Sequence, residues 1–214
     1  MKKKAYISIG IICFLIIGSF YINGKSTSTM FLIGERYPQA TDDSSVSSIS
    51  NHIVAKYKDN TITESMVEYQ LYIDENRPDE TRYNYTWSEV VDNLLAGFII
   101  MDEASRQGIV INESDVQEIL SSSQEAIEND AQVAAELSDF CAGANMTEEE
   151  YWARIKNQLY DSLLIQEYEN HFIDEYLVKN PNATVDEAKE AYEQHRSELI
   201  QEHEDDIIYY EELD

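Results

Sequence analysis

Apolar residues recur at three- and four-residue spacing from Val91, through Leu94, Leu95 and Phe98, to Met101, which predicts one apolar face on a helix over residues 86–108. Thr86 followed by Glu89 fits a capping box, in which each side chain takes an orphan amide at the helix start. Gly108 is the expected stop, because a left-handed residue closes the last turn there without a Cβ penalty. Ile109, Val110 and Ile111 form a short apolar link, and Asn112 is placed to cap a second helix striped by Val116, Ile119, Leu120 and Ile127. Two amphipathic helices joined by an apolar elbow cannot bury their faces alone. Flanking segments must complete the core.

Downstream, Thr147 with Glu150 opens a long helix to about Lys179. One stripe on it is Trp152, Ile155, Leu159 and Leu163, and another is Leu164, Tyr168, Phe172 and Tyr176. Two stripes imply that the helix packs on the domain early and against something else later. Asn180-Pro181 breaks it, since proline pushes the preceding residue out of the helical region. Thr184 with Glu187 starts a last helix, followed by the acidic tail EDDIIYYEELD. Upstream, Val54, Lys56 and Lys58 alternate with Ile53, Ala55 and Tyr57, and Lys58-Asp59-Asn60 supplies a turn, so a hairpin or short strand is expected. A weakly striped helix from Glu64 to about Ile73 follows, and Pro78 ends that unit. Residues 121–146 read as irregular, with alanine-rich turns. The pattern predicts a mostly α fold of about five helices, with a small β element near residues 53–62.

Residues 1–24 hold Lys2, Lys3 and Lys4 and then an uncharged run from Ala5 to Ile22, at the lower limit for a membrane-spanning helix. The lysines should stay cytoplasmic, giving a single-pass anchor with the rest of the chain outside. A cleaved signal peptide, and hence a secreted protein, is the competing expectation. An acylated Cys13 is disfavoured by Ile12 before it. Residues 25–52 are rich in serine and threonine and read as a linker. Its apolar island, Met30 to Ile33, could pack on the domain or on lipid. Residues 53–179 then form the helical domain, and residues 180–214 a C-terminal helix and acidic tail.

Charge narrows the classes of partner. The chain has 15 Lys and Arg against 42 Asp and Glu. Four of the basic residues (Lys2, Lys3, Lys4, Lys25) lie in the first thirty positions, where there are no acids. An acidic surface repels phosphate backbones, which disfavours nucleic acid, and attracts basic segments. It also simply keeps a protein soluble.

Little in the chain points to covalent chemistry. The four histidines, His52, His171, His195 and His203, include no His-Glu-x-x-His pair. His195, Glu198, Glu202 and His203 could share a helix face, but a cluster this loose reads as solvated polar surface. Cys141 lies in a small-residue turn with no recognisable base and reads as an inert thiol. No catalytic residue, cofactor or metal is expected. The 15 tyrosines are the distinctive feature. Tyr69, Tyr72, Tyr83 and Tyr85 on one segment, with Tyr168, Phe172 and Tyr176 on the long helix, suit low-specificity binding of extended chains, because such rings half-bury while keeping a hydroxyl wet. Ordinary packing is the alternative for each.

Three stretches resemble the helical chaperone domain of SurA/PrsA-type foldases. They are "VAKYKDNTITESMV", the elbow Ala104 to Val116, and "MTEEEYWARIKNQLYDSLLIQEY", and they occur in that family's order. "ATVDEAKEAYEQHRSELIQEH" resembles the helix that leads into the family's parvulin prolyl-isomerase domain. That domain would need about a hundred further residues, so it is expected to be absent. The resemblance implies a membrane-anchored, extracytoplasmic, chaperone-like protein that binds unfolded or newly exported polypeptides without isomerase activity. The alternative is a non-catalytic envelope protein that docks one specific partner.

Overall fold

The computed structural model describes residues 28–38, 52–77 and 81–210. Among them the fold is mostly helical, with seven α-helices and a small three-stranded sheet. In chain order these are α1 (Ser28–Glu35), β1 (Ile53–Tyr57), β2 (Asn60–Thr63), α2 (Glu64–Glu75), α3 (Trp87–Arg106), α4 (Glu113–Glu128), α5 (Ala131–Gly143), α6 (Glu148–Lys179), α7 (Val185–Glu202) and β3 (Ile207–Tyr209). The expectations for residues 1–24 lie outside the described residues. Among those described, no helix is long and apolar enough to cross a membrane.

The chain divides into two compact units. The first takes residues 68–85 and 112–160 together with the N-terminal part, and the second takes residues 50–67, 86–111 and 161–214.

In the first unit, Met30 and Ile33 of α1 are buried with Tyr69, Ile73, Leu120, Leu137, Phe140, Tyr151 and Ile155. This decides the apolar island: it packs on protein, inside what the sequence reads as a linker. Two glycines permit the approach. A Cβ built on Gly34 would sit 2.2 Å from the Phe140 carbonyl oxygen, and one on Gly143 would sit 2.0 Å from that of Phe31. Helix α5 corrects the irregular reading of residues 121–146. Asp130 accepts from the amides of Gln132 and Val133 at its start. At its end Asn145 takes a left-handed φ of 51°, and the Met146 amide donates to the Cys141 carbonyl at 3.0 Å. With α1 and α5, the five expected helices become seven. Both were hidden by weak amphipathic patterning, α1 among serines and α5 among alanines.

The second unit is built on α3. The Thr86–Glu89 capping box forms as expected. Gly108, at φ 74°, closes the helix, with the Ile109 amide donating to Ala104 and the Gly108 amide to Ser105 in a Schellman motif. The elbow, however, is set by backbone hydrogen bonds and not by burial, since Val110 is 80% exposed. The buried face of α3 is Val90, Val91, Leu95, Ala96, Ile99, Ile100 and Ala104; Leu94, Phe98 and Met101 are only half-buried. The face is rotated from the expected stripe because α3 is covered by β1 and β2 and also by α7.

The sheet has the order β2-β1-β3, antiparallel throughout. The hairpin is the expected one, and Lys58 takes the left-handed φ of 52° at its turn. The third strand corrects the expectation of an acidic tail for this stretch. Ile207 packs inward and the register pairs Ala55 with Tyr209, Lys56 with Ile208 and Tyr57 with Ile207.

Candidate functional site

The residues expected to bind polypeptide separate into three groups. Tyr69 is in the core of the first unit, edge-on to Tyr37 at 5.3 Å, and burial pushes its hydroxyl pKa far up. Tyr72 is half-buried under the Arg36 guanidinium, 4.3 Å from its ring centre. Neither presents a ring freely to a partner.

Tyr83 and Tyr85 do. Their rings stack at 5.1 Å with planes 16° apart, and they remain 62% and 38% exposed. Asp74, itself buried near the end of α2, accepts from the Tyr83 amide at 2.9 Å and from the Tyr85 amide at 3.3 Å. Between them Asn84 adopts a left-handed φ of 56°, which turns the backbone so that both rings fall on one side. The Arg77 guanidinium lies 5.1 Å from the Tyr83 ring centre, and the Arg82 guanidinium donates to the Arg77 carbonyl at 3.1 Å. A buried carboxylate thus fixes the backbone beneath an exposed aromatic plate. The rings are legible in the sequence, whereas the roles of Asp74 and Arg77 are not. No local signal marks Asp74, because the amides it serves lie nine and eleven residues further on, beyond the reach of a local turn motif.

Tyr168, Phe172 and Tyr176 come together in the second unit. The Tyr168 hydroxyl and His195 Nε2 share a hydrogen bond at 2.9 Å, and burial raises the pKa of that hydroxyl. Phe172 stacks on His195 at 4.8 Å and on Tyr176 at 6.3 Å, and meets Tyr192 at 5.6 Å. The later stripe of α6 therefore finds its partner in α7. Tyr168 is buried and Phe172 half-buried, so this ladder is mainly packing. At its outer end Tyr176, Asn180, Asn182, Glu187 and Gln194 line an open cleft of about 500 Å³ with polar walls.

A fourth cluster was not foreseen. Tyr57 donates to Asp102 at 3.0 Å, and Lys58 and Arg106 pair with the same carboxylate. His203 Nε2 lies 3.2 Å from Glu103, and its ring meets Tyr57 edge-on at 5.7 Å. These groups tie β1, α3 and the end of α7 together. Each acid there faces one or more cations, as in a structural network. Cys141 is buried, and burial together with Glu148 pushes its thiol up to about 11, so the thiolate is scarce at neutral pH. Among the described residues no group of three or more His, Cys, Asp or Glu is placed to hold a metal ion.

The exposed, braced surface is thus the Tyr83–Tyr85 plate. No family model, no curated protein and no solved structure matches the chain.

Proposed function

We propose that this protein is a chaperone-like module that binds unfolded or newly exported polypeptide segments without covalent chemistry, anchored outside the cytoplasm by residues 1–24. The observation that carries the proposal is the Tyr83–Tyr85 plate, two stacked rings exposed to solvent on a backbone pinned by Asp74. Exposed aromatic surface binds apolar side chains of many sequences. Fixing it in advance removes part of the entropy cost of association. The acidity of the chain as a whole, with 42 Asp and Glu against 15 Lys and Arg, keeps a complex with an unfolded client soluble and favours basic clients. The order of the three stretches that resemble foldases supports the same reading, in which the isomerase part is not required.

The test uses the full-length chain in lipid nanodiscs and a permanently unfolded, basic polypeptide as ligand. Replacing both rings, Tyr83→Ser with Tyr85→Ser, should weaken binding by about tenfold, the equivalent of one to two well-placed aromatic contacts. Asp74→Ala, which leaves the rings but frees their backbone, should weaken it less. Unchanged affinity in the double variant would remove the plate from the binding surface. Binding of one envelope protein but of no unfolded client would favour the dedicated docking role instead.

A further inference from the structure

The sheet offers a second surface, at its open edge. β3 pairs with β1 on one side, and among the described residues no strand pairs with its other side. The Tyr210 amide donates to the Val54 carbonyl at 2.9 Å, and Ile208 lies opposite Lys56. In an antiparallel ladder the backbone groups of successive residues point to opposite sides. Ile208 and Tyr210 therefore face β1, and the Tyr209 amide and carbonyl face the open side.

The run Ile207–Tyr210 contains no charge, proline or glycine, the devices that usually keep an edge from pairing; only its shortness guards it. Ile208 and Tyr210 are 51% and 52% exposed. The opposite edge of the sheet is different, since β2 presents Asn60, Thr61 and Thr63 and runs straight into α2. Charge lies beside the β3 edge, not on it. Glu204, Asp205 and Asp206 form an exposed turn immediately before the strand. Burial, and then Asp92 and Glu204, raise the Tyr209 hydroxyl pKa, so acids also approach this side chain.

We infer that the open edge of β3 takes up an extended segment of another polypeptide as a fourth strand, and that the segment alternates apolar with basic residues. Main-chain hydrogen bonds to Tyr209 would supply the register, as in other strand additions. The apolar side chains would lie on Ile208 and Tyr210, and the basic ones would meet Glu204–Asp206. A second copy of this chain is the poorer occupant, because the β3 strand it would offer, Ile207–Tyr209, carries no basic residue to meet Glu204–Asp206. This inference takes its class of partner from the polypeptide-binding reading and adds the partner's form and charge.

The full-length chain in lipid nanodiscs is titrated with short fluorescent peptides and followed by polarisation. A peptide alternating valine and lysine should bind about tenfold or more tighter than its valine–glutamate counterpart. N-methylation of the peptide backbone on the pairing side should cost at least as much, since it removes donors without changing charge. Tyr209→Pro should do the same from the protein side, because its lost amide faces away from β1, where edge prolines are tolerated. The inference is overturned if the N-methylated or the glutamate peptide binds as well as the lysine peptide. It is also overturned if the chain dimerises through this edge and takes up no peptide. Failure here, with client binding still dependent on Tyr83 and Tyr85, removes the edge site alone. Uptake of the peptide without that dependence removes the aromatic plate alone.

Discussion

Asp102 gathers three donors within its unit: the Tyr57 hydroxyl at 3.0 Å, the Lys58 ammonium at 2.5 Å and the Arg106 guanidinium at 2.9 Å. The Lys58 hydrogen bond, more than any other influence, holds its carboxyl below the usual range. A carboxylate depressed in the folded state stabilises above its unfolded pKa, near 3.9, and that contribution is lost as pH falls through the folded value. Asp102→Asn should therefore lower stability at pH 7 by about 1 kcal/mol, a figure kept small by partial exposure. The difference from the parent chain should close in acid, below about pH 4. Thermal melts across pH check this, and a deficit that persists unchanged at the acid end would show that lost packing, not charge, is responsible. The types in this network were visible in the sequence as Tyr57-Lys58 and Asp102-Glu103. Their partnership was not, because it joins residues 45 apart and a histidine 100 residues from its acid. The same holds for the tyrosines: ring type is read from sequence, but exposure of Tyr83 and burial of Tyr69 are set by packing that no local pattern encodes.

At the scale of elements, the caps were the most legible feature. All three Thr–Glu boxes form, with the Thr86, Thr147 and Thr184 amides each donating to a glutamate at 2.7 Å. Such motifs are local, so four residues suffice to specify them. The α1–α5 crossing was illegible for the opposite reason. It depends on two glycines far apart in sequence, each of which lies where a side chain would meet backbone. Alanine at a helical glycine ordinarily stabilises by about 0.5–1 kcal/mol. Here Gly34→Ala and Gly143→Ala should each destabilise by about 1–3 kcal/mol, because the clash is with carbonyl oxygens that cannot rotate away. Urea unfolding followed by Trp152 fluorescence measures this in the unit concerned, and Gly108→Ala is a useful comparison. At Gly108 nothing crowds the Cβ, and only the left-handed φ of 74° is strained. Stabilisation by Gly34→Ala would mean that α1 does not pack against α5 at this crossing. The third strand teaches a similar lesson. Ile207–Tyr210 carries a clear β-forming composition, but the surrounding acids masked it as a tail.

For the molecule as a whole, the predominance of helix was readable from periodicity alone, and so was the position of the hairpin. The division into two compact units was not, because the chain contributes separate stretches to each and two helices, α2 and α6, supply residues to both. At this scale the proposed function rests on the acidity of the chain, on the braced aromatic plate of the first unit and on the open strand edge of the second. The most direct test of that account is suppression of aggregation by the full-length chain in nanodiscs, using two unrelated unfolding clients, one basic and one acidic, at low and high salt. The account predicts suppression of both at near-stoichiometric amounts, stronger for the basic client. Raising salt should weaken only that preference, as expected for exposed charges, and Tyr83→Ser with Tyr85→Ser should reduce suppression of both clients. No effect on either client, in a chain that still melts cooperatively, would contradict it.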